Sequence, residues 1–379
     1  MGSLPSPPRP VIDLPPSPES SASNFKVYAV FSPTEQCPNT YRSNSIEFYN
    51  RFSNRWTRAS SIPGLVDNHF LKGFAMVSLG DSIYIIGGRL CHRERSHGPD
   101  QDDSDHDFVE VDVDVLPLVL CYNVRSEQWS RCAPLRTPRY DFACSVHDNK
   151  IYVAGGKSTL ATARGLPSAE VYNPRLDMWT PLPNMNTLRY MCVGVTWQSK
   201  FYVVGGFAEE EDSDSRLNMV LRSSAEVYDT QAGKWDLIQG MWQLDVPPNQ
   251  IVTVDGKLFS CGDCLNAWKG HIEVYDGEVN IWNEVNGSQG SLNSLSSASN
   301  NTENWRPNQR LYLTMAPIGA RIYFFTGHRM AGELSRTMSR VHVFDTSATS
   351  NAWRSLDPME EVGLKELCSH CCVVEVQET

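Results

Sequence analysis

What this chain of 379 residues lacks narrows its function before any motif is read. No apolar run approaches the eighteen or so residues needed to cross a bilayer, so no membrane span is expected. Basic residues are in the minority, 33 Lys and Arg against 44 Asp and Glu, for a net charge of -11. Nucleic-acid binding needs a basic footprint, and that balance argues against it. There is no P-loop, no dinucleotide fingerprint and no GxSxG nucleophile elbow. The first 25 residues are rich in Pro and Ser and hold no apolar signal region, which argues against secretion. Cysteine is not scarce, but its eleven copies are odd in number and fall mostly on predicted strands. They read as reduced thiols acting as small core hydrophobes, which places the protein in cytoplasm or nucleus. Cys261-Gly-Asp-Cys264 has no second CxxC at suitable spacing, so zinc is not expected.

What is present is repetition. A tyrosine strand ending in two glycines occurs at Ile83–Gly88, Ile151–Gly156 and Phe201–Gly206. Each is followed by an aromatic-Asp/Asn turn and a spaced tryptophan: Tyr122-Asn123 with Trp129, Tyr172-Asn173 with Trp179, and Tyr228-Asp229 with Trp235. Weaker copies run from Val27 to Trp56, from Leu258 to Trp282 and from Ile322 to Trp353, making six. A period near fifty residues marks a fold of stacked units. Apolar runs such as Phe142–Val146 and Cys192–Thr196 precede the tyrosine strands, giving four short strands per unit. A lone four-stranded sheet cannot bury both faces, so the units must pack face to face about an axis, with Tyr and Trp filling the gaps. The predicted fold is all-β, a six-bladed propeller. The first unit has no strand ahead of Val27, and Ser369–Val376 reads as that missing strand, supplied by the C-terminus to close the ring. The domain is expected over residues 26–376, behind a Pro/Ser-rich tail at 1–25.

The glycine pair, the Tyr-Asp/Asn turn and the spaced Trp resemble the kelch repeat across residues 26–376. The resemblance implies a kelch-type β-propeller like that of plant F-box/kelch-repeat proteins, within the galactose oxidase-like superfamily. The tail before Phe25 is too short and too proline-rich to hold an F-box. The resemblance therefore implies the substrate-binding half of a ubiquitin-ligase adaptor without its hook.

Antiparallel strands alternate direction, so loops alternate faces. Connections such as Asp148-Asn149-Lys150 are short on one face, while three long insertions, at about 89–117, 207–222 and 286–304, share the other. The first carries Asp100–Asp107 and the second Glu209–Asp212. Loops on a rigid scaffold are where recognition usually sits, so this is the expected binding face. Arg139-Tyr140-Asp141, Arg189-Tyr190 and Arg310 with Tyr312 enter it just before first strands. His328 and Arg329 close the last glycine strand and join the set. In the kelch family such blade entrances ring the channel mouth. By that resemblance Arg139, Arg189 and Arg310 would form a basic ring for an acidic or phosphorylated protein segment. The alternative use of each arginine is to cap its own strand turn or to pair with a neighbouring carboxylate.

An enzyme of the same type is the competing reading, since some kelch propellers resemble oxidases, specifier proteins or mutarotases. The densest potential ligand cluster is Cys91-His92 with His97 and His106, but a charged Asp-rich insertion is more often simply solvated. The expectation is a monomeric, non-enzymatic interaction module with no cofactor, no nucleic acid and no membrane partner.

Overall fold

A computed structural model describes residues 25–33, 43–66, 68–95, 108–162, 164–209, 220–244, 246–262, 272–285, 309–329, 336–348 and 352–376. Its strands form antiparallel four-stranded sheets, five of that size and one with a fifth strand. Each sheet contains one copy of the repeat. The second sheet runs Ala75–Leu79, Ser82–Ile86, Val119–Asn123 and Gln128–Arg131. The third runs Ala143–His147, Lys150–Ala154, Ala169–Asn173 and Met178–Leu182. The fourth runs Val193–Trp197, Lys200–Val204, Ala225–Asp229 and Lys234–Ile238. The fifth holds Ile251–Val254, Lys257–Ser260, Glu273–Asp276 and Ile281–Glu284. The sixth holds Gln309–Ile318, Arg321–Arg329, Arg336–Asp345 and Trp353–Ser355, with Met359–Val362 added beside the third of these.

The first sheet takes its inner strand from the far end of the chain. Lys365–Glu375 pairs with Phe25–Pro33, with Val27 opposite Val373, and Ser45–Asn50 and Arg55–Ser61 lie beyond. The expected C-terminal strand therefore lies beside the first unit.

Packing between sheets explains why the aromatic residues recur. One apolar cluster joins each sheet to the next: Ile86 and Val119 meet Val153 and Trp179, and Ala154 meets Val203 and Trp235. Val204 meets Leu258 and Trp282, and Phe259 meets Met315 and Phe324. Phe325 and Val341 of the sixth sheet meet Ala29 and Tyr49 of the first, and Val30 and Ile46 of the first meet Ile83 and Leu120 of the second. Burying one such Phe or Leu side chain contributes about 1.5–3 kcal/mol. Tryptophan adds direction. Trp179 Nε1 donates to Ala133 O at 2.9 Å, Trp235 Nε1 to Pro183 O at 2.8 Å and Trp282 Nε1 to Met241 O at 2.6 Å, each reaching the end of the preceding sheet. The tyrosine of the same hairpin donates its hydroxyl to the turn: Tyr172 to Asp177 at 2.6 Å and Tyr275 to Asn280 at 2.7 Å.

The inner strands of the six sheets line a cavity of about 500 Å³. Polar side chains stitch these strands together near the axis. Gln250 accepts from Met315 N at 2.7 Å and donates to Met315 O at 2.9 Å, while Thr314 Oγ1 accepts from Cys371 N at 3.0 Å. Gln250 thus adds a polar tie between the fifth and sixth sheets, and Thr314 one between the sixth and the first.

Candidate functional site

The glycine pair does more than turn the chain. Gly155 and Gly156 have φ of 72° and 88°, and a Cβ on them would lie 2.7 Å from Arg189 O and 2.6 Å from Tyr140 O. Gly156 N donates to Arg189 O at 2.8 Å, and Gly88 N donates to Arg139 O at the same distance. Each pair therefore carries the entrance segment of the following sheet, a contact closed to any side chain.

From that fixed backbone the two arginines turn inward. Arg139 is fully buried. Its guanidinium donates to Gly155 O at 2.8 Å, Ser168 O at 3.0 Å and Glu170 Oε1 at 2.8 Å. Glu170 also accepts the amides of Arg136 and Thr137, at 3.0 and 3.1 Å. Arg189 repeats the arrangement one sheet later: it donates to Gly205 O at 2.9 Å and Ser224 Oγ at 2.6 Å, and its Nε lies 3.7 Å from Glu226. Glu226 in turn accepts from Asn186 N and Thr187 N, at 2.7 and 2.8 Å. Burial holds both guanidinium groups below the ordinary arginine range, against the pull of Glu170 and Glu226. These side chains clamp their own sheets, as in the alternative use of each arginine, and neither faces the channel mouth.

Other cations lie beside the glycine pairs and the second insertion. Arg89, directly after its glycine pair, stacks 4.9 Å above Tyr140 and sits 3.2 Å from Asp141 Oδ2. Lys157, after the next pair, lies 3.9 Å from the ring centre of Tyr190. Tyr190 packs 5.2 Å from Phe207, over which Arg222 lies at 5.1 Å. A cation over an aromatic face gains about 0.5–2 kcal/mol, which orders the long side chain while leaving its charge available. Lys157 forms no ion pair among the described residues, unlike Arg89. Burial raises the Asp141 carboxyl above the usual range, opposed by Arg89 and, more weakly, by Lys157.

Tyr140 is buried under Arg89, while Asp141 lines the cavity. Tyr312 is also buried, with its hydroxyl 2.7 Å from Ser339 Oγ. Arg310 belongs to the inner strand of the sixth sheet, opposite His328; its side chain lies outside the described set. His328 and Arg329 are half-buried at the end of Arg321–Arg329. The structure brings Arg89, Tyr140, Asp141, Lys157 and Tyr190 together; Lys157, Arg89, Phe207 and Arg222 went unselected in the sequence. Their signal was position: two of the three cleanest glycine pairs are followed at once by a cation.

The first insertion is not a plain loop where it is described. Arg89–Arg95 and Phe108–Val115 pair with each other, and His69–Lys72 completes a three-stranded ribbon. Phe207–Glu209 of the second pairs with Leu188–Tyr190. The acidic run 100–107 and the third insertion, 286–304, lie outside the described residues, as do His97 and His106. Among the described residues, no group of three His, Cys, Asp or Glu side chains is arranged to hold a metal ion. No described helix is long and apolar enough to cross a membrane.

The cavity walls carry Cys144, Cys192, Cys368 and Cys371 with His370. Burial raises all four thiols, Cys192 to about 11 and Cys371 to about 12, so they are neutral at pH 7 and poor nucleophiles. Burial also lowers His370 to about 4, which leaves it uncharged.

Comparison with known proteins agrees with this geometry. Two stretches, 138–186 and 188–241, match the Kelch motif, and they frame the third and fourth sheets with their entrance arginines. An F-box/kelch-repeat protein of Arabidopsis thaliana is 33% identical over 123 residues, covering 32% of this chain and 29% of that protein. Mouse Kelch-like protein 40 is 27% identical over 126 residues, 33% of this chain and 16% of its own length. Alpha-scruin of Limulus polyphemus is 30% identical over 113 residues, 30% of this chain and 10% of that protein. The matched stretch spans less than a third of each of these relatives. Kelch motifs are present in this chain.

Proposed function

We propose that this kelch-motif chain is a non-enzymatic recognition module that binds a protein or peptide segment on its insertion-bearing face. We read residues 26–376 as one six-bladed propeller behind a tail at 1–25. The apolar cluster joining sixth and first sheets, together with the pairing of Lys365–Glu375 to Phe25–Pro33, supports a closed ring. A single rigid ring needs no partner copy, so we take it as a monomer. The nine described cysteines are all unpaired, in keeping with a cytoplasmic or nuclear setting.

The ligand class follows from one observation: Lys157 stands over Tyr190 at 3.9 Å without a carboxylate partner among the described residues. An ordered cation that forms no ion pair among the described residues favours an acidic or phosphorylated segment, because the charge-assisted bond forms with little further ordering. Arg222 over Phe207 extends the same surface. Arg139 and Arg189 serve it indirectly, by fixing the backbone that presents Tyr140 and Tyr190. A role as a substrate-recognition factor in ubiquitin ligation is a subordinate proposal, suggested by the F-box in the name of the Arabidopsis relative.

The test is an array of glutamate-rich, phosphoserine and neutral peptides, probed with wild-type protein and with Lys157→Glu/Arg222→Glu. Acidic peptides should bind the wild type and lose at least about tenfold in affinity, ~1.4 kcal/mol, on the double variant with unchanged thermal stability. Equal binding of acidic and neutral peptides by the wild type would end the acidic-ligand reading.

A further inference from the structure

Among the described residues, the ribbon built from the first insertion ends in an open edge. Phe108–Val115 pairs with Arg89–Arg95 on one side and with no described strand on the other. At eight residues it is long for an edge strand. Natural edges are blunted by charged side chains, proline, bulges or short length; this strand has no lysine or proline, and its charges are the carboxylates Glu110, Asp112 and Asp114. Its one irregularity is a register shift at its base, where Leu90 faces Asp114 and Cys91 faces Asp112. The regular part is therefore 108–112.

The two faces of that part differ. Glu110 stands opposite Arg93, and Asp112 opposite Cys91. Their carboxylates reach Lys72 at 2.6 Å, Arg93 at 3.1 Å and Arg89 at 3.0 Å, yet both side chains stay about two-fifths exposed, at 37% and 44%. Val109 and Val111 lie on the other face, opposite Glu94 and His92, and Val109 is 52% exposed. A backbone edge unpaired among the described residues, an exposed and a half-buried valine on one side and half-open carboxylates on the other form a template for an added strand.

We propose that this edge takes up an extended segment of a partner protein in which basic and apolar residues alternate. Backbone hydrogen bonds would continue the ribbon. Lysine or arginine side chains would meet Glu110 and Asp112, and apolar ones would meet Val109 and Val111. Charge decides the occupant. A second copy of this chain would set Glu110 and Asp112 against their own like charges, and like charges placed opposite one another across strands are destabilising. This edge meets the Lys157 row only through Arg89, which pairs with both Asp112 and Asp141, and the two tests use different peptides and different variants, so one proposal can fail without the other.

The experiment uses the full chain and three labelled nine-residue peptides: alternating Lys-Val, alternating Glu-Val, and a block isomer of the first with its lysines grouped. Fluorescence anisotropy should show the alternating Lys-Val peptide binding roughly tenfold more tightly than the block isomer, with no binding of the Glu-Val peptide. Amides within 108–112 should gain hydrogen-exchange protection on binding, a readout that a loose electrostatic contact would not move. Val109→Lys should abolish the preference while leaving the melting temperature unchanged. Equal affinity for the alternating and block peptides, or no added protection at 108–112, overturns the proposal. So does sedimentation of the free protein as a dimer that Val109→Lys dissociates, which would assign the edge to a second copy.

Discussion

The second and third sheets share one backbone and fill it with opposite chemistry. In the third, Glu170 stands opposite Val153, one residue before the glycine pair's strand ends, and it holds Arg139. In the second, Leu120 stands opposite Ile85 at the same register, and Leu71 takes the place of the arginine, two residues before the left-handed Gly73 as Arg139 is before the left-handed Asp141. Leu71 and Leu120 are both buried in the apolar cluster between first and second sheets. The entrance of a sheet therefore needs a space-filling pair and not a charge. A buried ion pair rarely adds net stability over a well-packed apolar pair, but losing one partner is costly.

Several outcomes would break or refine that comparison. The largest effect is expected from Glu226→Ala, which strands the buried Arg189: a loss of about 3–5 kcal/mol in urea unfolding. Gln250→Ala removes the side chain that bonds both backbone groups of Met315 across the fifth and sixth sheets, and should cost about 1–3 kcal/mol by the same measurement. The double change Arg139→Leu/Glu170→Leu, which copies the second sheet into the third, should cost less than the loss of either partner alone, with about 1–3 kcal/mol remaining from the amides of Arg136 and Thr137 that Glu170 accepts. A loss near 4 kcal/mol would mean that the charge itself is required.

The smallest effect concerns a third kind of buried polar group. His342 is fully buried, with Nδ1 2.7 Å from Ser355 Oγ, and burial lowers it to about 4. The unfolded chain takes up its proton near pH 6.5, before the folded protein does. Its stabilising share is therefore complete above that pH and is lost as pH falls toward 4, amounting to about 1 kcal/mol at pH 5.5. His342→Gln should flatten the stability profile between pH 6.5 and 4 relative to wild type.

The strand order, the repeat boundaries and the C-terminal partner of Phe25–Pro33 were legible because glycine, tyrosine and tryptophan are each tied to one contact. A glycine needed by a close backbone approach tolerates no substitute, so it survives as a pattern. The entrance arginines misled because a basic residue beside an exposed-looking turn has the same signature whether it faces water or turns inward. The missing sign was its partner. Glu170 and Glu226 stand in otherwise apolar strands, in Ala-Glu-Val-Tyr at 169–172 and again at 225–228. A repeated carboxylate inside a strand asks for a buried cation. The ribbon of the first insertion was hidden by the neighbouring aspartates, although Val109, Val111 and Val113 alternate as a strand should.

Two sets of basic residues divide the work in the proposed recognition: Arg139 and Arg189 hold the scaffold, and Lys157 with Arg222 would meet the ligand. One comparison tests that division directly, the affinity of an acidic peptide selected on wild-type protein for Arg139→Leu/Glu170→Leu and for Lys157→Glu/Arg222→Glu. The first variant should bind within about twofold of wild type and the second at least about tenfold more weakly, ~1.4 kcal/mol. The reverse order, with binding lost in the first variant and kept in the second, would contradict the account.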